Sequence, residues 1–119
     1  MNQVDIFKAL GDETRIRIVS LLLKGELCVC EIEEILGISQ TNASRHLSKL
    51  RTCGVISSAK KAQWVYYKLN GDFIKERPLL AEYLGTEVKK IESCRLDSVK
   101  LKRFRNKKTS AGSLQCEQS

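Results

Sequence analysis

Between Cys28 and Gly54 the chain reads as two short helices hinged on Gly37-Ile38-Ser39, and this pattern restricts the fold more than any other. Val29, Ile32, Ile35 and Leu36 give the first segment one apolar side; Gly37 can stop it and Ser39 can cap the second. From Ser39 to Cys53 the apolar residues are Ala43, Leu47 and Leu50, at i, i+4 and i+7, while Gln40, Thr41, Ser44, Arg45, Ser48 and Lys49 take the other faces. A helix that buries so narrow a stripe stays at a surface and offers hydrogen-bonding side chains outward, as reading a DNA major groove requires. A plain surface hairpin of helices would look alike, so the flanking segments decide.

Directly after Gly54, Val55–Ala59 and Trp64–Leu69 are β-branched and aromatic runs around a polar loop, Lys60-Lys61-Ala62-Gln63. A hairpin with a basic tip in that place fits a wing reaching phosphates beside the groove. Trp64, Tyr66 and Tyr67 are expected to pack onto helices rather than stack on bases. Upstream, a short helix over Val4–Leu10 presents Ile6, Phe7 and Leu10, and Asp12 caps a second helix carrying Ile16, Val19 and Leu23, widened by Ile18 and Leu22, up to Gly25. Downstream, Pro78 suits the first position of one long helix running through Leu80, Leu84, Val88 and Ile91 to about Leu96.

The expected architecture is mainly α with a β-hairpin (α+β), a winged helix-turn-helix that is homodimeric through Phe7, Leu10, Leu80, Leu84, Val88 and Ile91. Two paired reading heads match a palindromic double-stranded operator. The contacts expected to reach DNA are Ser39, Gln40, Thr41, Asn42, Ser44, Arg45 and Lys49 from the second helix, and Lys60, Lys61 and Gln63 from the wing. Residues 1–96 form the folded domain, and 97–119 a basic tail expected to be disordered, since Lys100, Lys102, Arg103, Arg105, Lys107 and Lys108 lie among Asn, Ser, Thr and Gly.

Charge agrees with this map. Of the net +7, +5 falls from Arg95 onward; within the body, Arg45–Lys61 holds five bases and no acid, whereas Glu26–Glu34 holds four Glu and no base. Charged residues interrupt every apolar stretch, so no leader or membrane span is expected, and the cytoplasm is the expected compartment. Five cysteines there are packing or chemistry, not a disulfide framework. One histidine, no phosphate-cradling glycine loop and no nucleophile with its base argue against an enzyme.

Cys28-Val29-Cys30 is the one local group with evident chemistry, because two soft thiolates can grip one soft ion. From spacing alone, two small buried hydrophobes account for it equally well. In a regular helix, residues two apart point about 200° apart, so capture is expected to open the helix start and disturb the reading helix beyond it.

Over roughly 4–94 the chain resembles the ArsR/SmtB metalloregulatory repressors. The likeness is carried by Phe7-Lys8-Ala9-Leu10-Gly11-Asp12-Glu13-Thr14-Arg15, Glu26-Leu27-Cys28-Val29-Cys30-Glu31-Ile32, Ser44-Arg45-His46-Leu47-Ser48-Lys49-Leu50 with Gly54-Val55-Ile56, and Trp64-Val65-Tyr66-Tyr67. The resemblance implies that Cys28 and Cys30 bind the inducer, that As(III) or Sb(III) is that inducer, that no organic cofactor is used, and that a metalloid-resistance operon is controlled. It also implies that His46 faces DNA. Arsenical sensors with this motif often add a third cysteine one turn later, where Glu33 stands here, so a third thiol must come from Cys94 or Cys116; Cys53 is expected to be packing. A cadmium- or lead-responsive repressor, or a thiol redox switch on the same fold, are the alternatives.

Overall fold

The computed structural model describes residues 2–110, without the side chains of 108–110. Helix α1 (Gln3–Leu10) starts at Asn2, whose Oδ1 accepts the Val4 N–H at 2.7 Å. Helix α2 (Glu13–Leu22) starts at Asp12, whose carboxylate accepts the Arg15 N–H at 3.1 Å. These caps satisfy amides that a helix leaves orphaned. Strand β1 (Leu27–Cys28) leads directly into α3 (Val29–Leu36). Gly37 then takes the left-handed conformation, φ 69°, and returns its N–H to Glu33 O at 2.8 Å. A side chain there would meet no atoms but would strain the backbone. Ser39 caps α4 (Gln40–Thr52) through Oγ and the Asn42 N–H at 3.2 Å.

Strands β2 (Ile56–Lys61) and β3 (Trp64–Leu69) form the hairpin, and β1 adds to it in an antiparallel sheet of order β1-β3-β2. Its register sets Leu27 against Tyr67 and Cys28 against Tyr66. Lys60 and Lys61 belong to β2, with Lys61 opposite Trp64, so the expected four-residue loop is a two-residue turn, Ala62-Gln63. Ala62 has φ 59°, the positive value that such a tight connection needs to match the strand twist.

After α5 (Gly71–Glu76) the expected single helix from Pro78 to Leu96 is two: α6 (Pro78–Glu87), a 3-10 turn (Val88–Lys90), an extended Ile91, and α7 (Glu92–Ser110). The bend lets Leu84 and Val88 turn inward and lays Cys94, Asp97 and Leu101 on the side facing α2. The tail expected to be disordered from residue 97 is therefore helical as far as Ser110. Its basic composition hides an inward stripe, Cys94, Asp97, Leu101 and the half-buried Phe104, at helical spacing. Arg17 on α2 fixes this docking: Nε donates to Asp97 Oδ2 at 2.7 Å, and Nη2 donates to Asp97 Oδ1 at 2.9 Å and to Leu36 O at 3.3 Å. Residues 111–119, including Cys116, lie outside the described residues.

Ile6, Ile18, Leu21, Ile32, Ile35, Leu47, Leu50, Ile56 and Phe73 fill one core between these elements. That core corrects the expected dimer contacts, because Leu10, Leu84 and Val88 are already buried within the chain and Leu80 and Ile91 are half-buried. Only Phe7 of that set points outward. Among the described residues the outward apolar side chains are Val4 and Phe7 on α1, Ile74 on α5, Leu79 and Tyr83 on α6, and, less exposed, Leu96 and Val99 on α7; Leu79 is 80% exposed. On α6 the free stripe is displaced by one residue from the expected one, since the chain's own core takes Leu80 and Leu84. Arg77 Nε donates to Gln3 Oε1 at 2.8 Å, joining the starts of α6 and α1. Among the described residues no helix is long and apolar enough to cross a membrane.

Candidate nucleic-acid interface and thiol site

Helix α4 buries Ala43, His46, Leu47 and Leu50 and leaves Gln40, Thr41, Asn42, Ser44, Arg45 and Lys49 exposed. Arg45 Nη2 donates to Asn42 Oδ1 at 3.1 Å, one turn earlier, which holds the guanidinium along the outer face. The Ser39 hydroxyl is engaged as the cap. On the wing, Lys60 and Gln63 are exposed, but Lys61 donates to Glu26 Oε1 at 2.7 Å and lies 5.1 Å above the Tyr66 ring. Its charge ties the wing to the loop before β1, whereas Lys60 is directed to the surface.

His46 does not face outward as the resemblance implied. It occupies i+3 from Ala43, on the flank of the apolar stripe, and is 7% exposed. Its Nδ1 lies 3.1 Å from Arg15 Nη1 and 3.9 Å from Asp12 Oδ1. Arg15 can only donate, so Nδ1 accepts and the imidazole is neutral, with its proton on Nε2. Arg15 Nε also donates to Ala9 O at 2.6 Å, so one guanidinium joins α1, α2 and the reading helix. Arg15 went unnoticed at the sequence level because its partners lie six and 31 residues away.

Burial lowers the His46 pKa below its ordinary 6.5; Asp12 opposes this, and Arg45, Arg15 and Lys49 reinforce it. A histidine whose folded pKa is depressed takes up its proton more readily when unfolded, so stability falls as pH drops from about 6.5 toward the folded value. Above that window it contributes no slope. Urea denaturation at pH 7.5 and 5.5 will show this loss, and His46→Gln will flatten it.

The sulfurs of Cys28 and Cys30 are 3.6 Å apart. Cys28 is the cap residue of α3 and is extended, φ −76° and ψ 151°, whereas Cys30 is the second helical residue. The 200° separation of two helical residues does not apply, because only one of the pair is in the helix. The expectation that capture must open the helix start is thereby corrected. Glu31 Oε1 accepts the Cys28 N–H at 2.7 Å and holds the junction shut. Two sulfurs bound to one ion at about 2.3 Å each lie roughly 3.5–3.8 Å apart, so the spacing of this pair is that of two thiolates on one soft ion.

Cys28 is 1% exposed and Cys30 half-buried, and no group of three potential ligands forms among the described residues. Cys94 is thus not brought to the pair. It is buried between α2 and α7 near Ser20, and desolvation pushes its thiol pKa up. Cys53 closes α4 with Sγ directed to Leu50 O at 3.4 Å, a packing position as expected.

Two capped helices joined at a left-handed glycine, a reading helix with a polar outer face, and an antiparallel wing define a winged helix-turn-helix protein. Residues 12–58 match the family model for bacterial regulatory proteins of the arsR family. Over 66 residues, 55% of this chain, it is 48% identical to the arsenic resistance transcriptional regulator ArsR1 of Pseudomonas putida, of which it spans 52%. It is 40% identical over 77 residues to the cadmium resistance regulatory protein CadC homolog of Staphylococcus aureus, covering 64% of each protein. HlyU from Vibrio cholerae superposes with a TM-score of 0.59 at 37% identity, over 68% of this chain and 88% of that one. A homodimeric winged helix-turn-helix domain from Mycobacterium bovis, a possible ArsR-family regulator, gives 0.61 at 27% identity, over 71% and 78%. The chain belongs to the ArsR family.

Proposed function

We propose that this protein is a cytoplasmic, homodimeric repressor that holds a palindromic operator through α4 and the wing and releases it when Cys28 and Cys30 bind As(III) or Sb(III). The observation that carries this is the 3.6 Å approach of the two sulfurs at the strand-to-helix junction, on a fold whose arsenic-resistance relative is 48% identical. Bound there, the inducer supplies soft, thiophilic coordination and takes the place of protons on the thiolates. Cys28 is laddered to Tyr66 on the wing, and α3 runs through Gly37 into α4. Any shift of the Cys28 backbone therefore acts on both DNA-contacting elements at once. The second subunit is expected to cover Val4, Phe7, Leu79 and Tyr83.

The test is titration of the reduced protein, bound to DNA upstream of its own gene, with arsenite, antimonite, cadmium and zinc. Release at the lowest concentrations of arsenite or antimonite supports the reading. Full retention at saturating arsenite, or release by cadmium alone, overturns it. On the same DNA, Arg45→Ala will weaken binding by about 1–3 kcal/mol if Arg45 reads a base, and Lys60→Ala will reduce the salt slope by about 1 without changing sequence preference. An unchanged slope would place the wing tip off the phosphates.

A further inference from the structure

We propose that the outer face of α7, from Lys100 to Lys107, is a third DNA-contacting element that grips phosphates flanking the bases read by α4 and the wing. This rests on the DNA-binding reading above and extends its footprint. Lys100, Lys102, Arg103, Arg105 and Lys107 are all exposed, and no acid follows Asp97 in the described part of the helix. Folding alone does not account for that run. Arg103 and Lys107 stand at i, i+4, and Lys100 and Arg103, like Lys102 and Arg105, at i, i+3, spacings at which like charges repel. The helix dipole favours bases only within the last turn, whereas Lys100 to Arg105 precede the last turn of a helix that ends at Ser110. Nor does α3 neutralise them: Lys100, Arg103 and Lys107 line a shallow cleft with one acid, Glu34, while Glu26 is engaged by Lys61 and Glu31 by the Cys28 N–H.

The place of α7 selects the polyanion. The Arg17 guanidinium joins Asp97 to Leu36 O, and Lys100 Nζ reaches Ile35 O at 3.5 Å, so the basic stretch starts beside the C-terminal end of α3. Gly37 and Ser39 follow at once and open α4. In a helix-turn-helix the first helix crosses the backbone while the second lies in the groove, so a basic helix alongside the first is placed to meet phosphates of the same strand. From Lys100 to Lys107 α7 advances about 10 Å, the length of about three phosphate steps. An anionic membrane would require apolar side chains on the same face, but in this stretch Leu101 is buried and Phe104 half-buried.

The test compares the full-length chain with Lys102→Gln/Arg103→Gln/Lys107→Gln, which spares the inward Asp97, Leu101 and Phe104 and the Lys100 contact. Binding is measured from about 50 to 200 mM salt on duplex from upstream of its own gene and on an unrelated duplex. The slope of log affinity against log salt should fall by about 2 to 3, with affinity lost at least 10-fold on both duplexes alike. Lys102→Gln alone should lower the slope by about 1. Hydroxyl-radical footprints should lose the outermost protected sugars and keep those opposite α4. The charge-keeping Lys102→Arg/Arg103→Lys/Lys107→Arg chain should restore both slope and footprint. An unchanged slope or footprint in the glutamine variant overturns the proposal, as does an equal loss in Lys75→Gln/Lys89→Gln/Lys90→Gln, which removes three bases from α5 and the 3-10 turn instead. Wild-type protein that binds neither duplex would strike at the DNA-binding reading itself.

Discussion

Replacing Arg17 with methionine will destabilise the protein by about 3–5 kcal/mol, the cost of leaving a buried charge without its partner. Asp97 is 1% exposed and takes both of its strong bonds from this one guanidinium. For a domain whose total stability is about 5–15 kcal/mol, that is a large share, and the thermal midpoint will fall by roughly 10–20 °C. Asp97→Ala will cost less, because Arg17 is 20% exposed and keeps Leu36 O. The double replacement Arg17→Met/Asp97→Leu will recover most of the loss, since no unpaired charge remains. Chemical denaturation decides: a loss below about 1 kcal/mol in the single variant means that Asp97 finds water when Arg17 is gone. Hydrogen exchange will show α7 opening first, because the pair is its main polar tie to α2.

In the Cys28→Ser/Cys30→Ser protein, arsenite affinity will fall at least 100-fold while DNA binding in its absence stays within a few-fold of wild type. Serine oxygens are hard donors and remain protonated at neutral pH, so they give up the soft-ion bond but keep nearly the same volume. Cys28 is buried, so the serine hydroxyl that replaces its thiol must be desolvated, and a stability loss of about 1 kcal/mol accompanies the change. Cys30→Ser alone separates the two effects, because Cys30 is half-buried and lies past the cap. Retained arsenite response in the double variant would remove both residues from the inducer site.

What could be read from the chain was set by local rules. Asp12, Ser39 and Gly37 announced their helix ends because a cap is decided by residues within four positions. The reading helix and wing were legible for the same reason. What escaped depends on partners far along the chain: Arg17 with Asp97 is a separation of 80 residues, and β1 is two residues long with no pattern of its own. His46 was misplaced because the family resemblance implied an outer face, whereas Arg15 satisfies it inside. The C-terminal segment was misread from its charge, which conceals that every third or fourth residue from Cys94 to Phe104 faces the core. Cys28 and Cys30 were identified as a pair, but their convergence depends on the helix beginning between them, a boundary that spacing does not locate.

Strand β1 contributes so few ladder bonds that it is the weakest seam of the sheet, yet the wing and the first sulfur share it. A seam of that kind behaves like a fuse. Under the proposed function, a coupling energy of about 1–3 kcal/mol carried through this seam would change DNA affinity about 5–150-fold, and it would leave untouched the core around the fully buried Phe73 and Leu47. A regulator of the proposed kind would switch by local peeling and keep its fold, ready to bind again once the inducer is cleared.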